Sequence, residues 1–196
     1  MNQLALESNG SLPSSDQTYW VEPKLEVSVV SSQVANQRQA FLSAMSRRVS
    51  SVNLVVTDGV AGRFGLTVTS MCSVSAEPPI VMIGINRKSP LCQAITRNRC
   101  FVINVLSVAQ QYLADSFAGV GPQSCTYDFA QASWCRGETS APILSGGTAW
   151  FECDLASYQD VGSHRLFMGN VLRAEQGSEA ALCYSERSYR HAQALS

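Results

Sequence analysis

Residues 63–90 read RFGLTVTSMCSVSAEPPIVMIGINRKSP, and the fold is decided here. Phe64, Leu66 and Val68 alternate with Gly65, Thr67 and Thr69, so a strand would turn one apolar face to a core and present hydroxyls on the other. The run passes through Ser70, Met71, Cys72, Ser73, Val74 and Ser75, breaks at Pro78-Pro79, and resumes as a near-continuous apolar strand from Ile80 to Ile85. It ends in Asn86-Arg87-Lys88-Ser89-Pro90, where Ser89 suits an N-cap and Pro90 the first helical position. A helix N-terminus beside two cations is a ready anion site. Hydroxyls on one strand and an anion site at the end of the next are what a phosphorylated planar cofactor needs.

At 196 residues the chain has room for one domain with a sizeable core. Only 15% of residues are charged, so the surface is sparingly polar and part of it is expected to be buried in an oligomer. A net charge of −1 and scattered cations exclude a nucleic-acid partner. Seven cysteines without a C-x-x-C pair cannot close into a complete disulfide framework. They read as reduced and mostly buried, with Cys72, Cys100 and Cys153 in packing roles. Only His164 and His191 could complete a zinc site, so no metal is expected. No basic-then-apolar leader and no run of ~18 apolar residues is present, and a cytoplasmic protein away from membranes is expected.

Taken in order, residues 1–35 lack a sustained period and read as a polar, partly mobile arm, in which Val27, Val29 and Val30 could add a short strand or a contact to a partner subunit; residues 36–196 form the domain. Ala40, Phe41, Ala44 and Met45 share a helical face that should lie on the sheet, with Arg47-Arg48 closing the last turn. Val52 to Val56 form a strand that leads into a hairpin at Thr57-Asp58-Gly59. Gly59, Gly62 and Gly65 have the wrong spacing for a dinucleotide-binding turn and precede β-alternation instead of a helix; a nucleotide-triphosphatase phosphate loop is likewise absent. Pro90 to Asn98 makes a short helix and Cys100 to Leu106 a buried strand. Ser107 to Gln110 is a capping box opening a helix with apolar positions Val108, Tyr112, Leu113 and Phe117. Residues 118–147 read as a long loop around Trp134. Two long strands, Thr148 to Tyr158 and Arg165 to Glu175, a last strand from Ala180 to Tyr184, and a tail with Arg187, Tyr189 and Arg190 complete the chain. Six or seven strands and three short helices, strand-dominated and not alternating, fit an antiparallel barrel.

The order of five motifs carries a resemblance: G-[LI]-T-x-T-[SA]-x-C-S-V-S-x-x-P-P, I-N-R-K-S, F-V-I-N-V-L, F-A-G, and G-S-H before a strand. From about Arg38 to Tyr189 the chain resembles the flavin reductase family, the NAD(P)H:flavin oxidoreductases that supply reduced flavin to two-component aromatic monooxygenases. The resemblance implies a mainly β, FMN-binding split β-barrel, Greek-key-like, with a few short flanking helices, that forms a homodimer. It implies FMN or FAD as flavin and NADH or NADPH as hydride donor, the nicotinamide stacking on the exposed flavin face. It places Thr67, Thr69, Ser70, Met71, Cys72 and Ser73 along the flavin and Asn86, Arg87, Lys88 and Ser89 around its phosphate. His164 is the residue near the nicotinamide, with Ser163 where some relatives carry Asp. Arg187 and Tyr189 match a tail that closes over the site. Two other readings compete: a pyridoxamine-phosphate-oxidase-like enzyme, and a flavin- or haem-binding module without activity.

Overall fold

The computed structural model describes residues 30–122 and 126–194. The chain divides into a unit up to Phe41 and a unit Leu42–Ser196, and the sheets belong to the second. Helix α1 is Val30–Ser46, so Val30 is helical and not part of the short strand that was one of its two readings; Val27 and Val29 lie outside the described residues. Ala44 and Met45 are exposed instead of lying on the sheet, because the barrel's faces are filled by other elements. Arg47 and Arg48 follow the helix end in a turn.

The strands are β1 Ser50–Ser51, β2 Asn53–Thr57, β3 Phe64–Val68, β4 Met71–Ala76, β5 Pro79–Asn86, β6 Cys100–Val105, β7 Trp134–Arg136, β8 Pro142–Leu144, β9 Ala149–Val161, β10 His164–Gln176, β11 Leu182–Ser185 and β12 Ser188–His191. Helices α2, Pro90–Asn98, and α3, Gln111–Phe117, flank them. The main antiparallel sheet has seven strands in the order β3-β2-β6-β9-β10-β5-β4. Its two edges, β3 and β4, are consecutive in sequence and separated only by Thr69 and Ser70. Two residues cannot span a flat sheet, so the sheet curls until its edges meet at that corner, without a ladder between them. That is an antiparallel barrel split along one seam, as expected.

Alternation along the strands sorts side chains into two cores. Val55, Ile83, Ile85, Phe101, Ile103 and Phe167 point into the barrel, closed at one end by Leu91 and Ile95 of α2. Leu54 and Val56 point the other way, onto Leu113 and Phe117 of α3. All five residues of β2 are therefore buried. Each fully buried large side chain contributes about 1.5–3 kcal/mol. Val108 and Tyr112, expected on that helical face, are exposed, because the capping-box turn is a 3-10 turn, Val108–Gln110, that rotates them away from Leu113.

The segment 118–147 is more structured than a plain loop. It carries a 3-10 turn at Phe129–Gln131 and the β7–β8 ribbon, on which Trp134 sits. The tail also holds β12, paired to β11 through a two-residue turn in which Glu186 and Arg187 both have positive φ, at 52° and 60°. That is the conformation of a type I′ hairpin turn. Of the cysteines, Cys92, Cys100, Cys153 and Cys183 are buried, while Cys72 and Cys135 are exposed. The packing role expected for Cys72 fails because Met71, beside it on β4, takes the core-facing side and the strand's alternation turns Cys72 to the exposed face.

Candidate functional site

Strand β5 and helix α2 meet in the turn Asn86–Ser89. Asn86 folds back so that its Oδ1 accepts the Lys88 N–H at 2.9 Å, and the Asn86 carbonyl accepts from the Ser89 N–H at 2.9 Å. Ser89 caps α2 with extended backbone, yet its hydroxyl makes no hydrogen bond to the helix it caps. The first turn of α2 contains no acidic residue. A free hydroxyl, a helix N-terminus and two adjacent cations form a donor set suited to a phosphate.

The register of β5 and β10 places His164 opposite Asn86. The Arg87 N–H donates to the Ser163 carbonyl at 3.0 Å, and its guanidinium reaches the Gly162 carbonyl at 3.3 Å. Exposed His164 has its Nδ1 2.9 Å from the Ser163 hydroxyl. Asp160, unremarked in the sequence, organises the same turn: both its oxygens accept from Arg165, at 2.6 and 2.9 Å, and it lies 3.7 Å from Arg87. The hydrogen bonds from Arg165, and then its charge and that of Arg87, hold the Asp160 carboxyl below its usual range. An acid five residues before an arginine across a hairpin turn was the available sequence signal.

The hydroxyl row divides. Thr67 donates to the Ala114 carbonyl at 2.9 Å, and Ser70 to the Gly84 carbonyl at 2.6 Å. Those two hydroxyl protons hold the β3–β4 corner against α3 and β5. Thr69 is exposed and lines a depression of about 290 Å³ with Ser70, Tyr184, Arg187 and Arg48. Met71 packs on the barrel core, whereas Cys72 and Ser73 are exposed on edge strand β4. The Gly84 N–H also donates to the Ser70 carbonyl, at 3.0 Å, which sets the corner two residues before Asn86, about 7 Å along β5. The β3–β4 corner and the Asn86–Ser89 turn are thus both anchored on β5.

Arg187 and Tyr189 reach the Thr69 side, not the His164 turn. Both line a second depression, of about 380 Å³, together with Thr67, Thr69 and Asp115. The Tyr189 hydroxyl donates to Asp115 Oδ1 at 2.9 Å, and burial, then that bond, pushes its pKa up. Tyr189 therefore stays protonated and fixes the β11–β12 hairpin against α3. Arg48 and Tyr184, lining the first depression, were missed in the sequence, since neither falls in a motif. Among the described residues, no cluster of His, Cys, Asp and Glu could hold a metal, and no helix is long and apolar enough to cross a membrane.

Residues 45–193 match the model of the flavin reductase like domain. The chain belongs to the flavin reductase family of oxidoreductases. The FMN reductase (NADH) RutF 2 of Methylorubrum extorquens strain PA1 is 41% identical over 152 residues, covering 77% of this chain and 87% of that protein. The NADH:FAD oxidoreductase SgcE6 of Streptomyces globisporus C-1027, solved with NAD and FAD fragments, superimposes with a TM-score of 0.71 at 27% identity, covering 79% of this chain and 92% of that one. BorF, the flavin reductase component of a bacterial two-component tryptophan halogenase, gives 0.70 at 28% identity, over 79% and 97%.

Proposed function

We propose that this flavin reductase oxidises NADH to reduce FMN, and that the reduced flavin serves a separate flavin-dependent oxygenase. The anion-binding turn Asn86–Ser89 at the end of β5, with the β3–β4 corner held at Gly84 about 7 Å back along that strand, carries the reading. Lys88, the Ser89 hydroxyl and the start of α2 would hold the flavin phosphate; Thr69, Cys72 and Ser73 would lie along the ring. When bound, the flavin supplies the hydride acceptor, and the protein supplies position and electrostatics. Arg187 and Arg48, on the Thr69 side, favour the negative charge that hydride delivery brings to a ring there. His164 stands where a nicotinamide could be oriented, and no side-chain acid or base is required of it.

The FMN and NADH preferences rest on the RutF relative, a separate flavin-using component on the likeness to BorF, and the oxygenase on the resemblance carried by the sequence motifs. FAD is the second reading, favoured by the SgcE6 likeness. A homodimer is part of the proposal: Leu42, Met45, Val49 and Val74 are exposed apolar side chains, a feature that a second copy would bury. Light scattering reads that directly.

The test is absorbance at the reduced-nicotinamide band with NADH or NADPH and FMN or FAD in all four pairings. Flavin-dependent nicotinamide oxidation supports the proposal and ranks both preferences. Flavin binding without turnover would favour a holder without activity. Neither binding nor turnover would overturn the reading.

A further inference from the structure

Asp160, Arg165 and Arg87 meet at the turn end of the β9–β10 hairpin, and Asp160 holds the two arginines unequally. Both its oxygens accept from Arg165, at 2.6 and 2.9 Å, whereas the Arg87 Nε stands 3.7 Å from Oδ2, an ion pair without a hydrogen bond. Arg165 has further anchors. It donates to the Thr96 hydroxyl on α2 at 3.2 Å, and its guanidinium lies 4.3 Å from the centre of the Tyr158 ring. Its side chain is only 21% exposed. The Arg87 side chain is 52% exposed, and its other contact among the described residues is a 3.3 Å bond to the Gly162 carbonyl. Arg165 is therefore fixed with or without the Asp160 charge, and Arg87 is the arginine that this charge retains.

Arg87 occupies the second position of the Asn86–Ser89 turn, which is closed by the Ser89 N–H on the Asn86 carbonyl at 2.9 Å. Lys88, the next residue, makes no side-chain ion pair among the described residues. Two cations thus flank the proposed phosphate position, and one of them is already engaged. An anion on this turn meets Lys88, while Arg87 leans away toward Asp160.

We propose that Asp160 is a positioning residue that withholds Arg87 from the flavin phosphate and so sets how tightly the flavin is held. This rests on the flavin reductase reading above, in which the phosphate lies on the Asn86–Ser89 turn. Asp160 acts through Arg87 and needs no contact with flavin or nicotinamide. With Arg87 withheld, the turn grips the phosphate through Lys88, the Ser89 hydroxyl and the head of α2. With Arg87 released, a planar guanidinium able to make two parallel bonds would join them. The difference in grip shows mainly in the dissociation rate. A loose grip suits a reductase whose reduced flavin must leave for a separate protein.

The test titrates wild type, Asp160→Asn and Asp160→Glu with FMN and with riboflavin by flavin fluorescence, and follows FMN dissociation by stopped flow. Asparagine keeps an oxygen for Arg165 and removes the charge that retains Arg87. Asp160→Asn should bind FMN about threefold more tightly, with a matching fall in dissociation rate, riboflavin unmoved and Asp160→Glu close to wild type. Adding Asp160→Asn to Arg87→Ala should bring no such gain. A residue that merely holds the hairpin would weaken both flavins or neither. FMN binding that is unchanged or weaker in Asp160→Asn, equal gains for both flavins, or a gain that persists without Arg87 overturns the proposal while the flavin reductase reading stands. Wild type that binds no FMN overturns that reading and the proposal with it. Should Asp160→Asn misfold, Arg87→Ala and Lys88→Ala in otherwise wild-type protein decide the matter. An equal loss of FMN affinity in the two would mean that Arg87 already grips the phosphate and would overturn the proposal; a smaller loss in Arg87→Ala supports it.

Discussion

Asn86 and His164 stand opposite one another across the β5–β10 pair, and the Arg87 N–H to Ser163 carbonyl bond beside them joins the two turns into one unit. The helix-start anion turn and the G-S-H turn, 74 positions apart in sequence numbering from Lys88 to Gly162, are thereby neighbours. With Nδ1 engaged by Ser163, the other ring nitrogen of His164 is left for a ligand. His164→Ala is expected to raise KM for NADH about tenfold, the worth of one hydrogen bond, with flavin affinity little changed. Paired flavin titrations and initial rates check this; unchanged kinetics with both NADH and NADPH would remove His164 from the site.

Arg87 and Lys88 are unequal. Arg87 is engaged with the Gly162 carbonyl and lies near Asp160, whereas the Lys88 ammonium has no ion pair or hydrogen bond among the described residues. Lys88→Ala should therefore weaken FMN about tenfold or more, the cost of a charge-assisted bond, and leave riboflavin, which lacks the phosphate, unaffected. The FMN affinity of wild type should also fall with salt more steeply than that of the variant. Equal losses for FMN and riboflavin would place Lys88 outside the phosphate site.

Much of this was legible because the local signals were strong and agreed. Ser89-Pro90 fixed the start of α2, and alternation from Phe64 to Val68 fixed β3. The two-residue break at Thr69-Ser70 was not legible, since Ser70 continues the β pattern while its hydroxyl and carbonyl are bound to Gly84 on another strand. Thr67 likewise reads as ligand-facing, and only the fold shows its proton going to the Ala114 carbonyl. β12 escaped because its two-residue turn uses Glu186 and Arg187 at positive φ in place of the usual Asn and Gly. Arg48 reaches its depression through tertiary placement that no local period encodes.

Gly169 lies where β10 slips register against β9, between Met168 and Gly169. A Cβ there would come within 2.5 Å of the Phe101 ring and 2.8 Å of the Cys153 side chain, both fully buried. Neither can withdraw without disturbing the barrel core, so Gly169→Ala should cost about 1–3 kcal/mol of stability. Urea denaturation measures it: the midpoint should fall with little change in slope. A midpoint within error of wild type would mean that the sheet relaxes around the methyl group.

Cys153 lies between Glu152 and Asp154 on β9, and burial, reinforced by those two carboxylates, pushes its thiol up to about 12. Its ordinary value is 9.0, which the unfolded chain should show. Between these values the folded protein keeps a proton that the unfolded chain releases. This contribution is intact below pH 9 and is lost as pH rises toward 12, at about 1.4 kcal/mol per pH unit for a single thiol. Cys92 is also raised, chiefly by burial, and bends the curve in the same direction. Cys153→Ala should leave only the Cys92 share of the thiol effect, so the fall in Tm from neutral to alkaline pH should be shallower than in wild type. Parallel curves would show that Cys153 is solvated on the timescale of unfolding, and its burial between the two carboxylates would then have no weight in alkaline stability.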